Sequence, residues 1–190
     1  MTEWINGQMI KTSLNNAKEP DKKLAQELLD EVKENDLVLR DRGYFTFDSI
    51  EAIESRKAFW ISRLPANFRA FDGEATPLEE LLKRSGSNQL YIDIWLGRDR
   101  AHPCRLIATR LTRNETEKNR RQRRRNSKRH GATTAKKGLS YDGWSIHITN
   151  LPKERYGSDE IHLLYSIRWS IEIHFRAMKQ SSHLHRGLNQ

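Results

Sequence analysis

The stretch YSIRWSIEIHFRAMK, residues 165–179, sets one carboxylate, Glu172, among three side chains able to donate to a phosphate: Tyr165, Arg168 and Lys179. On a helix turning about 100° per residue, Arg168, Glu172 and Lys179 fall roughly 300°, 340° and 320° round from Tyr165, so the four share one arc. The adjoining arc holds Leu164, Ile167, Ile171, Phe175 and Met178, an apolar stripe suited to a core. A phenol and two cations beside an acid are equipment for holding phosphates next to a metal ion. The same residues also fit a solvated helix edge, on which Arg168 and Glu172 form an i,i+4 pair worth roughly 0.2–0.5 kcal/mol.

A second acid has a different claim. In LVLRDRGYF, Leu37-Val38-Leu39 is a short apolar run suited to a buried parallel strand, and Asp41 stands just past its carboxyl end. In open α/β sheets ligands bind at that rim. Two acids brought together there can hold divalent cations for phosphoryl transfer, and an oxygen-only site suits Mg2+, or Mn2+ in its place. The competing reading pairs Asp41 with Arg40 or Arg42 in a tight turn.

The elements that must position these residues come in two styles. Trp4-Ile5, Asn6-Gly7 and Gln8-Met9-Ile10 read as a hairpin with a type I′ turn. Residues 20–34 form a helix with Leu24, Leu28, Leu29 and Val32 inward, followed by the strand ending at Asp41. A helix from about Asp48 to Arg56 and a strand through Phe59-Trp60-Ile61 complete an αβαβ run. After Ser62, Leu90, Ile92, Ile94 and Leu96 alternate with Tyr91, Asp93 and Trp95, the period of a strand. Cys104–Thr109 and Trp144–Thr149 are further strands, and between them lies RNETEKNRRQRRRNSKRHG. The chain divides into an α/β part over 1–62, a β-rich insertion with a basic arm over 63–150, and the rest of the α/β part over 151–190.

Composition narrows the partner. The 190 residues carry a net charge of +9, 31% charged and 36% hydrophobic. Such an excess of cations favours a polyanion, because Lys and Arg that neutralise phosphates release condensed counterions. The sequence lacks a long apolar run and a signal-like start, so a membrane is not expected. The single Cys104 excludes an internal disulfide and fits a reducing cytoplasm. His183-x-His185 lies in a polar tail without the spacing of a zinc site.

The intervals Tyr165-x2-Arg168-x3-Glu172-x6-Lys179 resemble the Y-R-E-K signature of DDE transposases of the insertion-sequence-4 type, and IHLLYSIRWSIEIHFRAMK is similar to their signature helix. LVLRDRGYF resembles the segment with their second catalytic Asp, which places that role on Asp41. SIHITNLP, residues 145–152, resembles the close of the β-rich insertion between second Asp and Glu. Trp144 stands where the family's tryptophan stacks on a flipped base, although it also reads as an inward strand residue beside Ile146 and Ile148. The resemblance covers roughly residues 8 to 180.

What the resemblance implies is a ribonuclease-H-like α/β fold with a β-rich insertion. Asp41 and Glu172 would bind metal and catalyse DNA cleavage and strand transfer. Tyr165, Arg168 and Lys179 would hold phosphates of double-stranded DNA, at transposon ends and target. Arg120, Arg121, Arg123, Arg124 and Arg125 would add phosphate contacts, against an alternative in which they are a solvated segment. Asp41 and Glu172 should approach to about 4 Å, the spacing of paired catalytic metals. The family's first Asp lies upstream of the hairpin, and Asp21, Asp30 and Asp36 are wrong for it by topology. The chain therefore reads as a transposase piece lacking the first strand, inactive alone, and acting as a homodimer or with full-length transposase in a bacterial cytoplasm, on the nucleoid. The rivals are a non-catalytic DNA-binding remnant and an arginine-rich RNA-binding protein.

Overall fold

The computed structural model describes residues 28–65, 68–129, 141–169 and 173. The expected hairpin, residues 20–27 of the expected helix and the histidine tail lie outside them. Of that helix, Leu28–Glu31 forms a 3-10 turn with Leu29 buried.

Leu37-Val38-Leu39 opens strand β1, Leu37–Arg40. Thr46 then starts helix α1, Phe47–Glu54, accepting from the Ser49 N–H at 3.2 Å and so satisfying an orphan donor of the first turn. Ile50 and Ile53 turn inward. Lys57, at φ 56°, reverses the chain into β2, Phe59–Arg63, parallel to β1 with Leu37 opposite Phe59. Four strands follow: β3 (Ala70–Phe71), β4 (Gln89–Leu96), β5 (His102–Arg110) and β6 (Trp144–Thr149). Helix α2, Leu78–Arg84, lies between β3 and β4, and α3, Arg113–Arg129, between β5 and β6. Helix α4, Ser158–Ser166, follows β6.

The fold is mixed α/β, as expected, but among the described residues the strands within 63–150 join those of the α/β part in one sheet rather than forming a separate one. The strands form one sheet in the order β1-β2-β6-β5-β4-β3, and only β1–β2 is parallel. β6 returns against β2, with Ile61 opposite Thr149 and Arg63 opposite His147. Strand pairing explains this: β2 left as an edge would expose a row of unpaired N–H and C=O groups.

The basic arm is also not an arm. It is the 17-residue helix α3. Thr112 and Glu115 form a reciprocal cap, the Thr112 N–H donating to Glu115 Oε2 at 3.0 Å and the Glu115 N–H to Thr112 Oγ1 at 3.3 Å. Arg, Lys, Gln and Glu are good helix formers, and Glu117 lies 3.3 Å from Arg113 and 3.9 Å from Arg121.

Both faces of the sheet are covered. On one, Trp60, Ile94, Leu96, Leu106, Trp144, Ile146 and Ile148 meet Ile50 and Ile53 of α1 and Leu78 and Leu82 of α2. On the other, Ile61 and Ile107 meet Ile161 and Tyr165 of α4, flanked by Leu37, Leu39 and Phe59. The β2–β6 junction is closed by side chains as well as strands. Thr149 Oγ1 donates to the Trp60 carbonyl at 2.6 Å and accepts from the Leu151 N–H at 3.1 Å. Asn150 accepts from the Trp60 N–H at 2.8 Å and donates to the Ala58 carbonyl at 3.2 Å. Thr149→Val keeps the shape but strands those partners, so it should destabilise the fold by about 1–3 kcal/mol in urea unfolding. An unchanged midpoint would show that the hydroxyl contributes nothing at this junction.

Candidate active site

The rim at the carboxyl end of β1 is built by folding back. Arg40, 7% exposed, donates from Nε and a terminal nitrogen to the Tyr44 carbonyl at 3.1 and 2.7 Å. The Tyr44 N–H in turn donates to the Asp41 carbonyl at 3.0 Å. The turn is thus tied to the strand end, and the Arg40 guanidinium is spent on Tyr44 rather than on Asp41. Asp41 itself is half-buried in extended backbone, and makes no ion pair among the described residues. By strand parity it follows Leu37 and Leu39 on the face that α4 covers.

Helix α4 meets this turn directly. The Tyr165 hydroxyl donates to the Arg40 carbonyl at 3.3 Å, across 125 residues of sequence. The arc bearing Tyr165 is the buried one: Ile161 is 0% and Tyr165 4% exposed, whereas Leu164 and Ile167 are only half-buried. Of the expected apolar stripe, Ile171, Phe175 and Met178 lie outside the described residues. Leu164 packs against the cluster of Ile161 and Tyr165, and Tyr165, which also fitted a solvated helix edge, is buried. The reason is Ile161, four residues before Tyr165, which carries the apolar surface into the phenol's own arc. Burial raises the Tyr165 phenol, with Arg168 opposing and Asp41 adding to the shift, so the hydroxyl keeps its proton and remains a donor.

Cations gather around this point. Desolvation lowers the Arg42 guanidinium, repulsion from Arg63 adds to it, and Asp41 and Tyr165 oppose it. Arg63 ends β2 in register with His147. The Arg168 guanidinium lies 5.6 Å from the Tyr165 ring centroid and 5.0 Å from that of Trp169. His147, 5% exposed, sits edge-on to His162 at 4.9 Å and tilted to Tyr165 at 4.6 Å. His162 shares a 2.8 Å hydrogen bond with Thr109, but His147 Nδ1 is buried with no hydrogen-bond partner among the described residues. Arg63 and His147 escaped sequence reasoning, because only the β2–β6 register brings them together, and that reasoning offers Arg42 only as a pairing partner for Asp41. Asp41's rim also receives β5 and β6, where Arg110 lies opposite Trp144, and the excursion between those strands is α3.

The remaining expected residues divide as follows. Glu172 and Lys179 lie outside the described residues, so their approach to Asp41 is not among the observed distances. Trp144 is 5% exposed in the core, with the Arg110 guanidinium 4.4 Å over its ring. It sits as an inward strand residue, and neither ring face is open to a base in this arrangement. Arg123 forms a two-pronged ion pair with Asp142, whereas Arg120, Arg121, Arg124 and Arg125 are exposed. Among the described residues no three His, Cys, Asp or Glu gather as a metal-binding group, and no helix is long and apolar enough to cross a membrane.

His147 makes this region sensitive to acid. Desolvation first, then His162, Arg63 and Arg42, lowers its pKa from 6.5 to about 3. The folded state therefore holds the ring neutral while the unfolded chain takes up a proton below 6.5, so stability falls as pH drops from there toward 3. At 1.36 kcal/mol per unit the full effect is on the order of 4 kcal/mol. Thermal unfolding between about pH 7 and pH 4.5 should show the first two units of this loss, about 3 kcal/mol, and His147→Leu should flatten the dependence. An equal slope in the variant would place the acid sensitivity elsewhere.

With this geometry in place, comparison with known proteins gives a single direction. The transposase DDE domain family matches residues 5–188. The transposase for insertion sequence element IS231B of Bacillus thuringiensis subsp. berliner is 26% identical, over 97% of this chain and 43% of its own length. That of IS231E, from Bacillus thuringiensis subsp. finitimus, is 28% identical over 95% and 42%. That of IS1151, from Clostridium perfringens, is 25% identical over 76% and 35%. The chain thus spans less than half the length of these curated relatives. A match across nearly all of its own residues decides the family: the chain belongs to the transposase DDE domain family.

Proposed function

We propose that this chain carries part of the catalytic site of an insertion-sequence transposase of the Y-R-E-K type, cutting and joining duplex DNA by phosphoryl transfer. The observation that supports this most is the Tyr165–Arg40 hydrogen bond. It seats the first residue of the Tyr-Arg-Glu-Lys series on the strand end that leads into Asp41, despite the long excursion between them.

Each side chain has a task in that reading. Arg42, Arg63 and Arg168 hold the phosphates flanking the scissile bond, the first two beside Asp41 and the third over Tyr165. Tyr165 fixes the strand end and thereby the direction of the Asp41 carboxylate. His147 stays neutral and adds no repulsion to the arginines around it. The exposed cations of α3, on the same rim, follow the DNA backbone. Asp41 offers hard carboxylate oxygens, and a carboxylate from Glu172 brought beside it would complete a pair that fits Mg2+ or Mn2+. When bound, such a cation stabilises charge on the phosphate and activates the attacking oxygen. The setting proposed is the bacterial cytoplasm, with DNA as the partner.

Two measurements test this. Mn2+ titration of the full chain, read by calorimetry, should give a site that Asp41→Asn and Glu172→Gln each weaken at least tenfold. Loss with one variant but not the other would end the shared-site reading. Binding to duplex DNA should weaken steeply with salt. Replacing Arg120, Arg121, Arg124 and Arg125 by Gln should make the log–log slope shallower by up to about 3.6, at ~0.9 per phosphate contact. An unaltered slope would remove α3 as a contact surface, and preference for single-stranded RNA over duplex DNA would favour an RNA-binding role.

A further inference from the structure

Helix α3 is docked in an unusual way. Arg113–Arg129 contains no aliphatic or aromatic residue, so little hydrophobic burial can hold it. Its half-buried positions are Thr116, Glu117, Asn119, Arg123 and Ser127, and Thr116, Asn119, Arg123 and Ser127 recur at three and four residues to form one polar stripe facing the body. Standing alone, it would be a marginal helix, weakened further by the like charges of Arg120–Arg124 and Arg121–Arg125 four residues apart.

The stripe ends on one acid. The Asp142 side chain is 3% exposed and accepts from Arg123 Nε at 2.8 and 3.1 Å and from a terminal nitrogen at 2.6 Å. Asn119 Nδ2 donates to the Asp142 backbone carbonyl at 3.2 Å. The Gly143 carbonyl accepts from the Leu111 N–H at 2.9 Å, just before the helix begins. Asp142 precedes β6 by two residues and is therefore fixed to the sheet. Helix α3 joins the end of β5 to the start of β6, the strand ends that share the rim on which β1 and β2 end, so the docked helix belongs to that rim. A buried two-pronged pair loses heavily when one partner is removed, because the other charge is left uncompensated.

We infer that Asp142 is a positioning residue for DNA: through Arg123 it holds the basic helix along the rim bearing Asp41, so that duplex binding depends on an acid. The inference rests on the proposed role of α3 as a phosphate-contacting surface. It makes a claim opposite in sign to simple electrostatics. Asp142→Asn raises the net charge, and by charge alone duplex DNA would be bound as tightly or more tightly. With the helix released from the rim, its cations no longer act together, and affinity falls.

The test compares the full chain with Asp142→Asn, Arg123→Gln, the double variant and Asn119→Ala, using a duplex of about 20 base pairs at several salt concentrations. Asp142→Asn should weaken binding at least tenfold and make the salt slope shallower. Arg123→Gln should lose more slope than the ~0.9 of one phosphate contact, and the double variant should be no worse than either single. Near-UV circular dichroism reports whether the sheet core persists. If Asp142→Asn loses the core, Asn119→Ala carries the test without altering charge, and should weaken binding in the same direction. Binding by Asp142→Asn equal to or tighter than the unaltered protein, or by Asn119→Ala unchanged where that variant carries the test, overturns the positioning role and leaves the proposed function standing. Failure of the unaltered protein to bind any duplex at low salt overturns the proposed function itself.

Discussion

The return of β6 to the side of β2 is the constraint on which the other placements depend. Eighty residues separate the two strands, and closing so long a loop carries an entropic cost that grows only slowly with its length. The register that results sets Arg63 opposite His147 and Ile61 opposite Thr149, with Thr149 and Asn150 satisfying the backbone of Ala58 and Trp60. Because α4 starts soon after β6, fixing β6 also fixes where α4 crosses the sheet. Tyr165 reaches the Arg40 carbonyl only because that crossing passes over β1 and β2. A slip of one residue in the β2–β6 pairing would turn His147 and Thr149 to the opposite face.

The same arrangement explains how a cationic rim survives beside a hydrophobic core. Arg40 is buried but donates to a carbonyl at short range, and Arg123 is half-buried with its fork met by a carboxylate. Desolvation lowers the Arg42 guanidinium, and repulsion from Arg63 adds to that. The ring of His147, held neutral by desolvation and then by His162, Arg63 and Arg42, adds no charge to the bases gathered near Asp41. Such a concentration of uncompensated positive charge is unfavourable in the free protein and is relieved by an anion, which accords with a site for phosphates.

Much of the architecture was legible because short-range patterns and burial agree. The alternation over residues 89–96 became β4 with those bounds, and Trp144–Thr149 became β6. Leu37-Val38-Leu39 became a parallel strand ending beside Asp41. Helix α3 was hidden within a charge run, although its start carries a local sign, Thr112 and Glu115 three residues apart. Trp144 could be read as an inward residue or as a platform for a base; in this structure it is buried in the sheet core, with Arg110 from the opposite position on β5 over its ring.

The amino-acid sequence by itself pointed to the family, through the intervals from Tyr165 to Lys179, the strand leading to Asp41, and an excess of cations suited to a polyanion. These are properties of neighbours in the chain, set by helical and strand periods that operate over a few residues. Only the tertiary structure decided that Tyr165 faces inward, that Arg42, Arg63 and His147 surround the strand end, and that Arg123 is spent on Asp142. Each of those depends on which strand lies beside which, and in what register. That choice is made by burying both sheet faces and pairing every inner strand at once, a condition on the whole chain that no single stretch expresses.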